Sequence, residues 1–275
     1  MTAHARPTTQ AVILARGLGT RMRRAEAGAL TPAQAHAADL GIKGLIPTGR
    51  PFLDYVLSTL ADAGITDVTL VIGPEHRAVR DYFRATAPPA RVRVHFAVQA
   101  EALGTANAVL AVAGTIEDAP FLVLNADNYY PAEACGALAE VAGAGLVAFE
   151  EAALVREGNF DAARVLQYAL LDVDDAGWLR AIREKPAPDD PLAQGAERWV
   201  SMNLWSFTRG IFEACRRVRP SARGELELAD AVTIGMRELG ERFRVVRSRA
   251  GVLDLSTRAD VATVTARLAG VEARP

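Results

Sequence analysis

The sequence predicts an α/β fold with a doubly wound, mostly parallel open sheet. Strand-like and helix-like segments alternate along the first 150 residues, and the strand-like segments are short apolar runs without polar alternation. Such runs are typical of parallel strands that helices cover on both faces. The texture becomes richer in β-strands after residue 150, which indicates a small β-rich insertion.

Hydrophobic periodicity and turn residues predict the elements of the first half in order. Apolar runs indicate strands at residues 10–14, 67–72, 91–96, 121–124 and 146–149. Apolar residues at helical spacing indicate helices at residues 50–63, 75–84, 105–113 and 131–142. Within the segment 25–41, Thr31, Pro32 and Gln34 form a capping-box pattern, which predicts a short helix that ends at Gly41.

The second half is predicted to contain a hairpin and a closing helix. Two strands, at residues 164–173 and 178–183, flank a turn at 174–177. Further strands are predicted at residues 200–207, 243–247 and 252–255, and helices at 225–239 and 257–268. We therefore expect a single domain over residues 1–275, with halves at about 8–150 and 151–256 and a C-terminal helix at about 257–271.

Composition excludes several classes of protein. The 275 residues are 50% hydrophobic and 23% charged, with 31 basic and 33 acidic side chains, as in ordinary globular proteins. No apolar stretch reaches the ~20 residues of a membrane-spanning helix, and a nucleic-acid binder usually has a basic excess. The apolar run at residues 11–15 is too short for a secretory signal. We expect a cytoplasmic protein that starts near Met1 and binds neither membrane nor nucleic acid.

Two scarce residue types also bear on function. Cys135 and Cys215 lie far apart and near no histidine, so we expect them to be buried in helices rather than to form a disulfide or a zinc site. Lys43 and Lys185 are the only lysines in a chain that otherwise uses arginine. A lysine ammonium is a compact, movable point charge, which suggests a role that a planar guanidinium cannot fill.

The strongest local feature is the turn that follows the first strand. Gly17 and Gly19 would allow the backbone to approach a phosphate closely, and Arg21 would supply positive charge. The turn lacks the lysine-serine ending of a P-loop and the third glycine of a dinucleotide-binding fingerprint. Taken alone, it fits either a phosphate site or a structural turn.

Six parts of the sequence, in the same order, resemble the sugar-1-phosphate nucleotidyltransferases, also called nucleoside-diphosphate-sugar pyrophosphorylases, and in particular the glucose-1-phosphate thymidylyl- and uridylyltransferases. They are residues 14–21 with 43–51, then 99–106, 125–128, 184–186, 223–228 and 253–257. The resemblance implies a Rossmann-like nucleotidyltransferase fold, with a nucleotide-binding first half and a sugar-phosphate-binding second half.

The resemblance also implies a reaction. These enzymes join a nucleoside triphosphate to a sugar 1-phosphate with Mg²⁺ and release pyrophosphate, by in-line attack on the α-phosphorus. The attacking phosphate is already anionic at neutral pH, so no general base is needed. The protein must instead hold two anions together and neutralise charge in the transition state.

The matching motifs assign a role to individual residues. The catalytic residues implied are Arg21, Lys43, Asp127 and Lys185, and the metal ligands are Asp127 and Asp254. The nucleotide-binding residues implied are Leu14, Ala15, Gly17, Gly19, Thr20, Gln99, Gly104 and Thr105. The sugar-binding residues implied are Asn128, Glu184, Asn203 and Glu225.

Base preference depends on two of these residues. Gln99 and Gly104 resemble the pyrimidine-selective branches, in which a glutamine reads the edge of uracil or thymine and the glycine leaves room for the ring. UTP or dTTP is therefore favoured, while a guanylyl or adenylyl version of the reaction stays open. The sequence does not indicate which sugar is used.

The sequence departs from the family pattern at three places. Arg16 stands where the family has glycine or alanine, a helix is added between Arg21 and Lys43, and Leu255 and Ser256 replace a pair that contains glycine. These departures bear on nucleotide preference and loop closure rather than on the class of reaction.

Other classes of function fit the sequence less well. A dehydrogenase would need the missing third glycine and an acidic residue at the end of the second strand. A glycosyltransferase shares the aspartate-metal turn but makes no pyrophosphate, and a non-catalytic sugar-nucleotide-binding protein has no need of both lysines and both aspartates. The four histidines share no spacing typical of a metal site or a catalytic triad. A homo-oligomer stays open.

Overall fold

The computed structural model describes residues 7–24 and 30–275, so the first part of the predicted segment 25–41 lies outside the described residues. The strands are β1 (Gln10–Leu14), β2 (Asp67–Ile72), β3 (Arg93–Val98), β4 (Phe121–Asn125), β5 (Asn128–Tyr129), β6 (Gly145–Glu150), β7 (Ala169–Val173), β8 (Leu179–Arg183), β9 (Trp199–Phe207), β10 (Arg244–Ser248) and β11 (Leu253–Asp254).

The helices surround these strands. They are α1 (Thr20–Arg23), α2 (Pro32–Leu40), α3 (Phe52–Asp62), α4 (Arg77–Asp81), α5 (Thr105–Leu110), α6 (Ala132–Ala139), α7 (Glu151–Glu157), α8 (Ala162–Val165), α9 (Pro191–Gln194), α10 (Gly210–Arg217), α11 (Leu228–Glu238) and α12 (Arg258–Leu268), with a 3₁₀ turn at Lys43–Leu45 and a π turn at Tyr82–Thr86.

One mixed sheet forms the centre of the molecule. Its main order is β10-β6-β9-β4-β1-β2-β3, and the β7-β8 hairpin is attached to β9. The strands from β4 to β3 are parallel, as are β10 and β6, whereas β9 is antiparallel to both β4 and β6. The prediction of an open, largely parallel sheet is confirmed.

Both faces of the sheet are buried, which explains why its central strands are continuously apolar. In β1, Ala11 and Ile13 pack into one core with α3, α6 and α12, while Val12 packs into a second core with α5, α10 and α11. Successive side chains of a strand point to opposite faces, so each central strand needs an apolar residue at every position.

The predicted helix at residues 31–41 is confirmed, with its capping box. The Thr31 hydroxyl accepts from the backbone N–H of Gln34, and the Gln34 side chain accepts from the backbone N–H of Thr31. Gly41 ends α2 in a left-handed conformation, with φ of 73°.

The main error of the sequence reading lies in the second half. Residues 164–173 are predicted to be one strand, but Ala162–Val165 is helical and only Ala169–Val173 is a strand. Asp161 caps α8 through its side chain, which accepts from the backbone N–H of Arg164. A side-chain cap of this kind stabilises the helix start and outweighs the β-propensity of Val165.

Other boundaries also differ from the predictions. The helix predicted at 225–239 begins at Leu228, and that predicted at 75–84 divides into α4 and the π turn. The helices α1, α7, α9 and α10 and the short strand β5 are not among the predicted elements. Across residues 7–24 and 30–275, no helix has both the length and the apolar character needed to cross a membrane.

Candidate active site

A cavity of about 340 Å³ opens at the carboxyl ends of the central parallel strands. Ligands of open α/β sheets bind at this edge, because the loops that leave neighbouring strands diverge there. Ten of the predicted site residues line the cavity, namely Leu14, Ala15, Gly17, Thr20, Lys43, Gln99, Gly104, Thr105, Asp127 and Glu225. Arg21, Gly19, Asn128, Glu184, Lys185, Asn203 and Asp254 are not part of its wall.

The glycine turn after β1 forms one side of the cavity. Gly19 has a left-handed backbone with φ of 60°, and a β-carbon there would lie 2.6 Å from the carbonyl oxygen of Gly41. The end of α2 therefore packs directly against the turn, and only glycine fits. A β-carbon on Gly17 would meet no atom within 4 Å, so at that position the turn is open towards the cavity.

Lys43 and Asp127 form an ion pair at the cavity wall. The Lys43 Nζ donates to Asp127 Oδ2 over 2.8 Å, and both side chains are largely buried. Lys43 opens the 3₁₀ turn that follows α2, while Asp127 lies between β4 and β5. The added helix α2 therefore ends just before Lys43, and Lys43 pairs with an aspartate that lies 84 residues further along the chain.

Asp254 lies beside Asp127 because β11 pairs with β5. Asp254 is opposite Asn128 in this antiparallel pair, and the backbone N–H of Leu255 donates to the carbonyl oxygen of Asp127 over 2.8 Å. The Asn128 amide donates to Asp254 Oδ1 over 3.0 Å, and both residues are buried. Asn128 therefore orients Asp254, and its predicted contact with a sugar stays a prediction.

The carboxyl group of Asp254 is crowded by negative charge. Burial, together with the charge of Asp127, raises the pKa of Asp254 to about 6. Burial and a neighbouring negative charge both disfavour the ionised form of a carboxyl group.

Arg164 is a member of this cluster that the sequence reading missed. Its guanidinium contacts Asp254, donates to Asp260 Oδ1 over 2.8 Å, and lies 5.3 Å above the ring of Phe160. Tyr168 lies nearby, and burial, followed by the charge of Asp254, raises the pKa of its hydroxyl. The only sequence signal was Asp161, whose capping pattern would have placed Arg164 on a helix instead of a strand.

Gln99 presents a fixed amide to the cavity. Its Nε2 donates to the carbonyl oxygen of Gly104 over 3.0 Å and to Asn107 Oδ1 over 2.9 Å. Because the carbonyl oxygen of Gly104 can only accept, the nitrogen of the amide must face it. The Gln99 Oε1 remains as an acceptor on a residue that lines the cavity. Asn107, which supports this orientation, was not predicted.

The backbone around Gly104 gives a structural reason for a glycine at this position. Its φ is 111°, and a β-carbon there would lie 2.6 Å from the backbone of Leu226. The Leu226 N–H also donates to the carbonyl oxygen of Leu103 over 2.7 Å. The expectation that this glycine leaves room for a base stays a prediction, and the contact with Leu226 gives a second reason for a glycine at this position.

Several of the remaining predicted residues lie outside the cavity wall. Arg21 and Lys185 are exposed, and Asn203 is half-buried, in a bulge of β9. Glu184 is exposed, but the protein around it removes enough water to raise its pKa, and the nearby Glu227 adds to this effect. Glu227 lies two residues after Glu225, which lines the cavity. Because Glu184 is near Glu227, the turn that carries Glu184 and Lys185 lies on the same side of the molecule as Glu225.

Within the described ranges, no group of three or more histidine, cysteine, aspartate or glutamate side chains is arranged to hold a metal ion. Asp127 lines the cavity, and the pairing of β5 with β11 places Asp254 beside it but behind the cavity wall.

Comparisons with known proteins agree with this geometry. A family model described as nucleotidyl transferase matches residues 10–268. The protein AglF of Haloferax volcanii, named UTP–glucose-1-phosphate uridylyltransferase, is 29% identical over 248 residues, which are 90% of this chain and 90% of that protein. A glucose-1-phosphate thymidylyltransferase of Streptomyces antibioticus is 30% identical over 235 residues, covering 81% of this chain and 56% of that protein.

A solved structure gives the same result for the fold. The crystal structure of a UDP-glucose pyrophosphorylase complexed with UDP-glucose has a TM-score of 0.72 to this chain at 16% identity, and covers 96% of this chain and 99% of that one. The chain spans about half the length of several of the curated relatives that it matches.

Proposed function

Because the chain belongs to the nucleotidyl transferase family, we propose that it transfers a nucleotidyl group from a nucleoside triphosphate to a sugar 1-phosphate and releases pyrophosphate. The observation that carries this proposal is the Lys43–Asp127 pair, which lies in one cavity with the open glycine turn. A phosphate-binding turn, a mobile cation and a carboxylate are the groups that this chemistry needs.

The nucleotide binds along the part of the cavity that residues of the first half of the chain form. Gly17 leaves space for a phosphate beside backbone N–H groups, and Arg21 and Lys43 supply positive charge. Lys43 already has a carboxylate partner, so its charge is shared with the phosphates when they arrive. A lysine can follow a phosphate whose geometry changes, since its ammonium has no fixed plane.

The sugar 1-phosphate binds on the rim formed by the second half. Lys185 contacts its phosphate, while Glu184, Glu225 and Asn203 accept from sugar hydroxyls. The proximity of Glu184 to Glu227 supports this arrangement, because it brings the turn that carries Lys185 close to the segment that carries Glu225.

In the reaction, an oxygen of the sugar phosphate forms a bond to the α-phosphorus of the triphosphate. The bond between that phosphorus and the oxygen of the β-phosphate breaks, and pyrophosphate leaves. No proton is removed, so the protein contributes by holding the two anions in line and by offsetting their charge.

Asp127 and Asp254 fit a magnesium ion. Their carboxylate oxygens are the ligands that Mg²⁺ prefers. Burial and, after it, the charge of Asp127 raise the pKa of Asp254, and a divalent cation between the two carboxylates would favour their ionised forms. When bound, the ion would neutralise charge on the transferred phosphate. Lys43 and Arg164 would then share the two carboxylates with it.

UTP or dTTP is the favoured triphosphate. Gln99 keeps its Oε1 as an acceptor for the ring N–H of uracil or thymine, and two relatives carry uridylyl- and thymidylyltransferase names. A guanylyl or adenylyl version remains the alternative. We place the reaction in the cytoplasm, which is supported by two cysteines that are free and buried.

The test is a pyrophosphate-release assay with four ribonucleoside triphosphates and dTTP, each against hexose and hexosamine 1-phosphates with Mg²⁺. Asp127→Asn should abolish turnover and leave the far-ultraviolet circular dichroism unchanged. Asp118→Asn, which changes an exposed aspartate away from the cavity, is the matched control and should keep full activity. Nucleotide binding without pyrophosphate release in any pair would favour a non-catalytic sugar-nucleotide-binding protein.

A further inference from the structure

The guanidinium of Arg16 is a buried charge on the cavity wall with few partners. Only 9% of its side chain is exposed, and it lines the cavity. Within the described part of the chain, its hydrogen bonds go to one carboxylate, that of Glu75, over 3.3 and 3.5 Å. Its Nη1 is buried and has no hydrogen-bond partner among the residues that the structure describes.

These contacts satisfy the guanidinium poorly. Charge-assisted bonds between arginine and carboxylate are usually 2.7–2.9 Å long, and Glu75 is itself 46% exposed. A buried charged donor without an acceptor is costly. An acceptor on a ligand therefore competes readily with Glu75 and supplies the missing partner. A glycine or alanine at this position would carry no such cost, so the arginine has a use in the cavity.

The sheet order shows which end of the cavity Arg16 serves. The loops that follow β4, β1, β2 and β3 lie side by side in that order. Asp127 follows β4, whereas Glu75, the partner of Arg16, follows β2. Gln99 follows β3, and its backbone N–H donates to the carbonyl oxygen of Ile72 at the end of β2. Arg16 thus extends towards Gln99 and away from the phosphate-side aspartate.

Arg16 and Gln99 present complementary groups at this end. Arg16 can only donate, and the Oε1 of Gln99 can only accept. Uracil, thymine and guanine offer a carbonyl oxygen beside a ring N–H, which pairs with one donor and one acceptor. Adenine and cytosine have an amino donor where those bases have the carbonyl, and an arginine beside it finds no acceptor.

We propose that Arg16 is a specificity-determining residue that donates to a base carbonyl while Gln99 accepts from the neighbouring ring N–H. The site thereby selects bases with an oxo group beside a ring N–H and rejects adenine and cytosine. This inference rests on the proposed nucleotidyl transfer, and it adds a base-reading role at a position where the family pattern has a small residue.

The experiment measures binding of UTP, dTTP, GTP, ATP and CTP by calorimetry, with Mg²⁺ and without sugar phosphate, so that no turnover is needed. In Arg16→Ala, the affinity for the triphosphates that bind best among UTP, dTTP and GTP should fall about tenfold or more, as expected for one charge-assisted hydrogen bond. The affinity for ATP and CTP should change by less than about twofold.

Two further variants keep the result interpretable. Arg77→Ala removes an exposed arginine just past Glu75, and it should leave all five affinities unchanged. Arg16→Gln retains a hydrogen-bond donor on a shorter side chain, and it replaces Arg16→Ala in the experiment if the alanine variant does not fold. It should show the same selective loss of affinity to a smaller extent.

An equal loss across all five triphosphates would assign Arg16 to the phosphates and overturn the inference, as would affinities in Arg16→Ala that match those of the wild type. Either result leaves the proposed function standing, because the wild type still binds triphosphate. If the wild-type protein binds none of the five, both proposals fail.

Discussion

Two residues other than glycine hold a left-handed backbone in the described part of the chain, Lys185 with φ of 43° and Asn203 with φ of 57°. Such conformations are costly for residues with a β-carbon and tend to occur where function requires them. Both residues belong to the predicted sugar-phosphate half. Asn203 lies in the bulge of β9, where the backbone departs from the regular strand, and the role of both residues toward the sugar phosphate stays a prediction.

Lys185→Arg should separate the two substrates. The backbone cost is the same for both residues, so the variant should fold normally. The planar guanidinium replaces a compact charge, and we expect KM for the sugar 1-phosphate to rise about tenfold, while the affinity for the triphosphate changes by less than about twofold. Steady-state kinetics with each substrate varied in turn measures these two effects. The control is Arg180→Lys, which changes an exposed residue of β8. Equal losses for both substrates would show that the role is misassigned.

At the scale of elements, Gly104 joins two parts of the active site. It lies just before α5, carries φ of 111° and touches the backbone of Leu226, while the Ala106 N–H donates to the carbonyl oxygen of Leu226 over 2.9 Å. The base-side loop and the segment that carries Glu225 are thus held together by backbone contacts. A side chain at this point would separate them.

Gly104→Ala should therefore lower the free energy of unfolding by about 2 kcal/mol or more, because a positive φ and a backbone collision act together. Gly114→Ala is the matched control. A β-carbon on Gly114 meets no atom within 4 Å and its φ is not positive, so its effect should stay within about 0.5 kcal/mol. Chemical denaturation of both variants gives the two values, and similar losses in both would contradict this account of Gly104.

The predictability of each element followed the strength of its local signal. The capping box of α2 and the apolar central strands carry unambiguous patterns, and they were predicted. α10 also carries a signal, which the prediction does not use: Thr208 accepts from the backbone N–H of Gly210 over 3.3 Å, and the buried Ile211 and Cys215 lie at helical spacing. In α8, Asp161 marks the start, but the apolar residues that follow are more typical of a strand.

At the scale of the whole molecule, the site could be predicted only through the resemblance, which the family match confirms. No local pattern relates Asp127 to Asp254, because their proximity depends on the pairing of β5 with β11 across more than a hundred residues. Arg164 and Asn107 escaped prediction for the same reason. Their roles come from side-chain contacts made after folding, and neither belongs to a matching motif.

The two free cysteines lie on opposite faces of the sheet. Cys135 belongs to the core with α6 and Cys215 to the core with α10. Burial raises the pKa of both thiols to about 12, so neither should react with a thiol reagent near neutral pH while the protein is folded. Their predicted burial in helices is confirmed.

Because one sheet separates the two cores, we expect both to unfold together. Labelling of single-cysteine variants, Cys135→Ala and Cys215→Ala, across a denaturant series should give two exposure curves whose midpoints equal those measured for each variant by the fluorescence of the buried Trp205 and its neighbours. Cys215 reacting well before the loss of fluorescence would mean that the face with α10 opens independently.

The pairing of β5 with β11 also has a consequence for biosynthesis. Just before the ribosome reaches residue 254, the glycine turn, Lys43 and Asp127 have already been made, but Asp254 is absent. A nascent polypeptide can therefore form most of the central sheet before it has a complete pair of acidic residues. If Asp254 has the proposed role, activity requires synthesis to have passed residue 254, and a product of termination before it would retain Lys43 and Asp127 without the second carboxylate.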